Sequence, residues 1–191
     1  MVTSRGLYLA FLGLVALERL VELLLSRRNA RLAQAAGALE AGRGHYPAMV
    51  AFHSLFLVAC AAEVVIVPRS FPGALGWVAL AVALGAQGLR YWAVSSLGVR
   101  WNTRVLVWPG LPPVTSGPYR LLRHPNYLAV VLEMAAVPLV YGAWVTAVAF
   151  SLGNLFLLRI RIRSEEEALG DSWAKAFVGR PRWLPELHRG E

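Results

Sequence analysis

Four apolar blocks, residues 7–25, 48–67, 74–97 and 128–158, leave this chain few ways to fold in water. The hydrocarbon core of a bilayer is about 30 Å thick and takes roughly 20 helical residues to cross. The first three blocks match one crossing each. The fourth has 31 residues, and as one helix it would run roughly 46 Å at 1.5 Å per residue, which overshoots the bilayer. Pro138 and the Tyr141–Gly142 pair sit near its middle, where a break is chemically easy. The block is therefore read as two short helices, 128–140 and 143–158, folded as a hairpin. The fold class that follows is an all-α integral membrane protein of about five transmembrane helices, a single domain over 1–191.

Charge placement tests the split. Only 16% of the chain is charged and 57% is apolar, against about a quarter charged in ordinary soluble domains. Arg27, Arg28, Arg31 and Arg43 follow the first block, and Arg100, Arg104, Arg120 and Arg123 follow the third. Arg159, Arg161, Arg163, Lys175, Arg180, Arg182 and Arg189 follow the last. The opposite side receives Arg5 and Arg69. Five crossings put the large basic set on one face, and the positive-inside rule makes that face cytoplasmic. The expected location is the cell inner (plasma) membrane, multi-pass, with the N-terminus out and the C-terminus cytoplasmic. A net charge of +8 arranged this way suits membrane flanks, not a nucleic-acid stripe, so no nucleic-acid partner is expected. The first block carries Glu18, Arg19 and Glu22 and lacks a small-residue cleavage site after it, which reads as a retained helix.

Residues 98–126 are dense in turn formers (Pro109, Gly110, Pro112, Pro113, Gly117, Pro118) and are expected to be an irregular cytoplasmic loop. From Arg159 to about Phe177 the chain reads as a helix leaving the membrane. The lone Cys60 reads as packing. No His/Cys set has metal-ligand spacing, no G-x-G-x-x-G follows a strand, and no Ser elbow is present.

Charges inside a bilayer cost about 2.5–3.5 kcal/mol each on insertion scales, so each needs a partner or a task. Glu18 and Glu22 share a face of the first helix with Arg19 between them, and Arg90 is the obvious cation for an interhelical pair. Glu63 is expected to be wetted at the interface. Glu133 reads equally as a helix–helix contact or a ligand contact. The densest polar stretch is Ser116 to Tyr127, at the entry to the fourth helix. Pro125 suits an early helical position there. The free amides of that helix start, with Arg123 and His124 beside them, make a place for a carboxylate or polar head group. An interfacial anchor explains the same residues. Beyond the fifth helix, Arg161–Glu165 and Arg163–Glu167 have i,i+4 spacing and read as a salt-bridged face. The hairpin returns them to the membrane face that holds His124, and Asn154 would point into the same region.

Gly117-Pro118-Tyr119 … Arg123-His124-Pro125-Asn126-Tyr127 and Arg161-Ile162 … Glu165-Glu166 … Leu169 resemble the isoprenylcysteine carboxyl methyltransferase family over 117–169. Glu18-Arg19, Gly37-Ala38-Leu39-Glu40, His45-Tyr46-Pro47 and Trp101-Asn102-Thr103-Arg104 are similar to its small bacterial members, which O-methylate alkylpyrones or alkylresorcinols and are associated with type III polyketide synthases. The resemblance implies a membrane methyltransferase that takes S-adenosylmethionine from the cytosol and a lipophilic small-molecule acceptor from the membrane lipid. Tyr119, Arg123, His124, Pro125, Tyr127 and Leu128, with Glu166, would bind the cofactor. Arg161 and Glu165 would orient the reacting groups. Trp101, Asn102, Arg104, Glu133 and Asn154 fall to the acceptor. Functional coupling to a type III polyketide synthase is a further expectation. After Leu169 the family's Phe-Gly … Tyr … Tyr stretch is replaced by Gly170-Asp171-Ser172-Trp173 and Pro181-Arg182-Trp183. That favours a small lipophilic acceptor over a prenylated protein terminus, with isoprenylcysteine carboxyl methylation as the alternative. Membrane NADPH-dependent sterol reductases are similar over Arg123-His124-Pro125-Asn126-Tyr127, and a non-enzymatic lipid-binding protein is the remaining rival.

Overall fold

Every apolar block becomes helix in the computed structural model, which describes residues 4–182. The helices are α1 (Ser4–Ala35), α2 (Tyr46–Ile66), α3 (Ala74–Leu97), α4 (Pro125–Leu139) and α5 (Trp144–Ala176). Pro47 sits in the first turn of α2 and Pro125 in that of α4, where a missing N–H costs nothing. The expected break at 141–142 is present. Gly142 takes φ +71°, which a side chain would resist, and Ala143 N donates to Pro138 O at 2.9 Å to close the turn. α4 and α5 then pack along each other, and α4 also packs on α3.

Two features depart from expectation, and a third agrees with it. α1 runs ten residues past its apolar block, to Ala35, because that extra length has buried work to do. Asn29 Nδ2 donates to Trp101 O at 2.8 Å, and Ser26 Oγ meets Thr103 Oγ1 at 2.7 Å. The segment 98–126 is not wholly irregular. Val105–Val107 (β2) pairs antiparallel with Leu39–Ala41 (β1), Leu39 opposite Val107, and β-branched residues at both ends of β2 suit a strand. Third, α5 is continuous from the apolar part into the polar part up to Gly170, whose φ of +68° interrupts it.

Large apolar side chains point outward around the bundle. Leu14, Val58, Val78 and Phe156 are each 60–67% exposed, a surface that water would penalise and lipid tails would not. α2 with the short helical turn before it (Arg43–Ile66) and α5 are long and apolar enough to cross a membrane. Inside, Tyr8 stacks on Tyr141 at 5.5 Å, Phe56 packs on Phe150, and Cys60 is fully buried.

Glu63, expected to be wetted at the interface, is partly exposed and is also engaged by protein groups. It pairs with Arg69 at 3.0 Å and accepts from Thr146 N at 2.7 Å and Thr146 Oγ1 at 2.8 Å, satisfying amides that the start of α5 leaves unpaired. The interhelical ion cluster does form. Arg19 reaches Glu22 at 2.5 Å and Glu133 at 3.2 Å, and Arg90, buried, reaches Glu133 at 2.5 Å. The carboxylate of Glu133 thus ties α1, α3 and α4 together. Removing one member strands a buried charge, which costs more than the pair itself contributes. Glu133→Ala should destabilise the bundle by about 3 kcal/mol, read as a lowered thermal midpoint in detergent. The double variant Glu133→Ala/Arg90→Leu should recover much of that loss.

Candidate active site

The site is built where the start of α4 meets the polar half of α5. Tyr127, in the first turn of α4, is buried, and its hydroxyl accepts from Arg161 Nε at 2.8 Å. The same hydroxyl donates to Glu165 Oε2. Arg161 and Glu165 therefore meet through a phenol. Among the described residues neither Arg161–Glu165 nor Arg163–Glu167 closes into the i,i+4 ion pair that their spacing suggests. Arg161 is only 5% exposed. It turns inward, with its guanidinium carbon 5.7 Å from the Tyr127 ring and Nη1 3.8 Å from Met49 Sδ.

His124 lies over this group. It stacks on Tyr127 at 5.3 Å, leans on Trp173 at 5.4 Å, and its Nε2 is 3.1 Å from Glu166 Oε1. Glu166 also accepts from Arg182 Nη2 at 2.5 Å. The chain after Phe177 is strapped back across the α4 entry: Arg123 Nε donates to Arg180 O, Arg123 N to Pro181 O, and Arg180 Nη1 to Tyr119 O. Burial, and then the nearby Glu165 carboxylate, push the Tyr119 phenol well above its ordinary value, so it stays protonated.

Two cavities flank the Tyr127–Arg161 pair. One, of about 610 Å³, opens among the loop 98–114, the α4 entry and the end of α5. The other, of about 440 Å³, runs between α1, α2, α3 and α4. Trp101, Asn102, Asn126, Tyr127 and Arg161 line both. The two spaces share this wall, with the buried arginine on it.

The residues singled out from sequence distribute unevenly over these walls. Tyr119, Arg123, His124, Glu165 and Arg104 line the larger cavity, and Glu133 lines the smaller. Pro125 and Leu128 line neither. Pro125 is sealed at the helix start, and Leu128 continues α4 with its N–H on His124 O. Glu166 stands behind His124 and off the cavity wall. Asn154 is 1% exposed, mid-α5, away from both spaces. Asn102 faces both cavities, but its amide is consumed: Nδ2 donates to Ser26 O at 2.8 Å, and Oδ1 accepts from Arg104 N at 2.9 Å.

Several wall residues were not singled out. Trp108, Trp173 and Phe177 give the larger cavity its aromatic faces, and Met49 and His53 belong to the smaller. Trp173 and Phe177, four apart after Gly170, carried a readable aromatic i,i+4 signal. Buried Trp108 Nε1 and Asn126 Oδ1 have no partner among the described residues, and both residues line the larger cavity. Unpaired buried polar atoms are costly, and here a donor and an acceptor are left unpaired in residues of one wall.

The isoprenylcysteine carboxyl methyltransferase (ICMT) family matches residues 77–171, the stretch that holds α3, the loop, α4 and most of α5. A Bacillus subtilis (strain 168) protein, "Uncharacterized protein YpbQ", is 40% identical over 158 residues, covering 83% of this chain and 94% of its own length. An "Uncharacterized protein" of Haemophilus influenzae is 25% identical over 159 residues, covering 83% and 92%. On these matches, this chain belongs to the ICMT family, a family of membrane methyltransferases.

Proposed function

We propose that this protein is an integral membrane S-adenosylmethionine-dependent O-methyltransferase, with the hydroxyl of a lipophilic ring acceptor such as an alkylresorcinol or alkylpyrone as its target. The observation that carries the reading is that two cavities of different character share Tyr127 and Arg161 as wall residues. The larger has the size of an ordinary small-molecule pocket and suits the cofactor. Arg100, Arg104 and Arg123 on its wall match a carboxylate. The faces of Trp173 and Phe177 match a planar base, and the unpaired Trp108 and Asn126 groups match its hydrogen-bonding edges. The smaller cavity has an apolar inner end at Phe11, Leu14 and Val15, which suits a hydrocarbon tail.

The charge asymmetry supports five crossings with the C-terminus cytoplasmic, α4 and α5 forming a hairpin that brings His124 and Glu165 to the same face of the inner membrane. The cofactor, when bound, supplies an electrophilic methyl group on a sulfonium. The protein's part is alignment and exclusion of water. Arg161, held by Tyr127, directs a guanidinium N–H at the acceptor oxygen. Glu165 keeps one carboxylate oxygen on Tyr127 and has the other to receive the proton of a phenolic acceptor. His124, braced by Glu166 and Trp173, forms the cofactor side of the junction. The supply of such acceptors by a type III polyketide synthase belongs to the same proposal. Isoprenylcysteine carboxyl methylation is the second reading, supported by the family's name alone.

Purified protein should bind S-adenosylmethionine and move labelled methyl groups onto an alkylresorcinol or alkylpyrone in preference to a prenylcysteine. His124→Ala should weaken cofactor binding about tenfold, the loss of one charge-assisted contact. Glu165→Ala should leave binding intact and slow turnover about a hundredfold, measured by isothermal titration alongside single-turnover transfer. Both variants transferring at the wild-type rate would remove these assignments. Tyr127→Phe frees Arg161 and Glu165 from their shared hydroxyl, and turnover should fall roughly tenfold with little change in cofactor affinity.

A further inference from the structure

We propose that His53 accepts a hydrogen bond from a second hydroxyl of the methyl acceptor, one that is not methylated, so that the enzyme selects ring acceptors with hydroxyls on non-adjacent carbons. This rests on the smaller cavity being the acceptor's. Along α2, Tyr46, Met49, His53 and Leu57 recur at helical spacing on that cavity's wall. Met49 Sδ touches Arg161, so this face of α2 begins at the junction. His53 lies four residues further in, about 6 Å along the axis at 1.5 Å per residue.

The ring is held in one sense. Nδ1 is 2.8 Å from Met49 O, and a carbonyl only accepts, so Nδ1 carries the proton. In the neutral ring Nε2 then presents a lone pair, and nothing among the described residues pairs with it. The other polar groups at this depth are engaged with one another. Glu18 takes Gln87 and Arg19; Glu133 takes both arginines; Glu22 Oε2 takes Arg19. Glu22 Oε1 is buried and has no hydrogen-bond partner among the described residues, but it belongs to a carboxylate that Arg19 and Arg90 already neutralise. Beyond this layer the wall becomes apolar at Phe11, Leu14, Val15 and Val137. The order from the junction inward is a reacting oxygen at Arg161, an open acceptor nitrogen one turn deeper, then room for a tail. That order matches a dihydroxylated ring with an alkyl chain and leaves a monohydroxylated ring one hydrogen bond short.

The test compares a 5-alkylresorcinol with the 3-alkylphenol of the same chain length on the full-length protein in detergent. Wild type should favour the resorcinol about tenfold in kcat/KM, chiefly through KM, beyond the factor of about two from its equivalent hydroxyls. His53→Phe should erase that preference with S-adenosylmethionine affinity unchanged, and His53→Gln should restore part of it. Equal use of both substrates by wild type, or a preference that survives in His53→Phe, overturns the role of His53 while the methyltransferase reading stands. Transfer to neither compound by wild type overturns this inference and removes the alkylresorcinol as acceptor, while the alkylpyrone is decided by the labelled-transfer assay of the proposed function.

Discussion

The hydroxyl of Tyr127 is the contact on which the site depends. It sits between Arg161 and Glu165, accepting from one and donating to the other. A guanidinium and a carboxylate one turn apart on α5 would otherwise close on each other. With the phenol between them, Arg161 stays turned into the protein at 5% exposure, and the carboxylate stays at the mouth of the larger cavity. Burying an arginine without partners is expensive. Here the cost is met by a hydrogen bond across the α4–α5 interface, which also fixes the register of the two helices at the wall the two cavities share.

The ion cluster of α1, α3 and α4 serves the same architecture from the other side. Glu133 bonded to both Arg19 and Arg90 holds three helices at fixed spacing, so the space between them persists as a cavity and does not collapse into packed side chains. The cluster's charges face one another and leave His53 Nε2 without a partner among the described residues. One network therefore does two things: it holds the bundle apart and sets where polarity occurs along the smaller cavity.

Much of this was legible in the sequence, for identifiable reasons. Block lengths gave the helices, because crossing length and apolar run length are the same physical quantity. Pro138 and Gly142 marked the turn, because the chain can reverse only where backbone freedom allows. The pairing of Arg90 with acidic groups followed from the cost of a lone charge in an apolar run. The overrun of α1 was hidden, since it depends on Asn29 finding Trp101 O, a contact 72 residues away. So was the capping role of Glu63, which lies 83 residues from Thr146. Three-residue strands leave no periodic trace. In the site, the motif positions Tyr119, Arg123, His124 and Tyr127 converge on one wall. Pro125 and Leu128 do not, because a contiguous helical motif turns only some of its residues to any one side, and Asn154, on α5, lines neither cavity. His53 was one of four scattered histidines until the fold put it beside Met49 and Arg161.

The central claim is that the cofactor and the acceptor approach from opposite sides of Arg161 and Tyr127. A structure of the protein in lipid nanodiscs with S-adenosylhomocysteine tests it most directly. The account predicts the product's sulfur beside Tyr127 and Arg161, its carboxylate toward Arg123 or Arg104, and the space lined by Phe11 and His53 left free. A product lodged between α1 and α2, or bound on the far side of the bundle from His124, would contradict it.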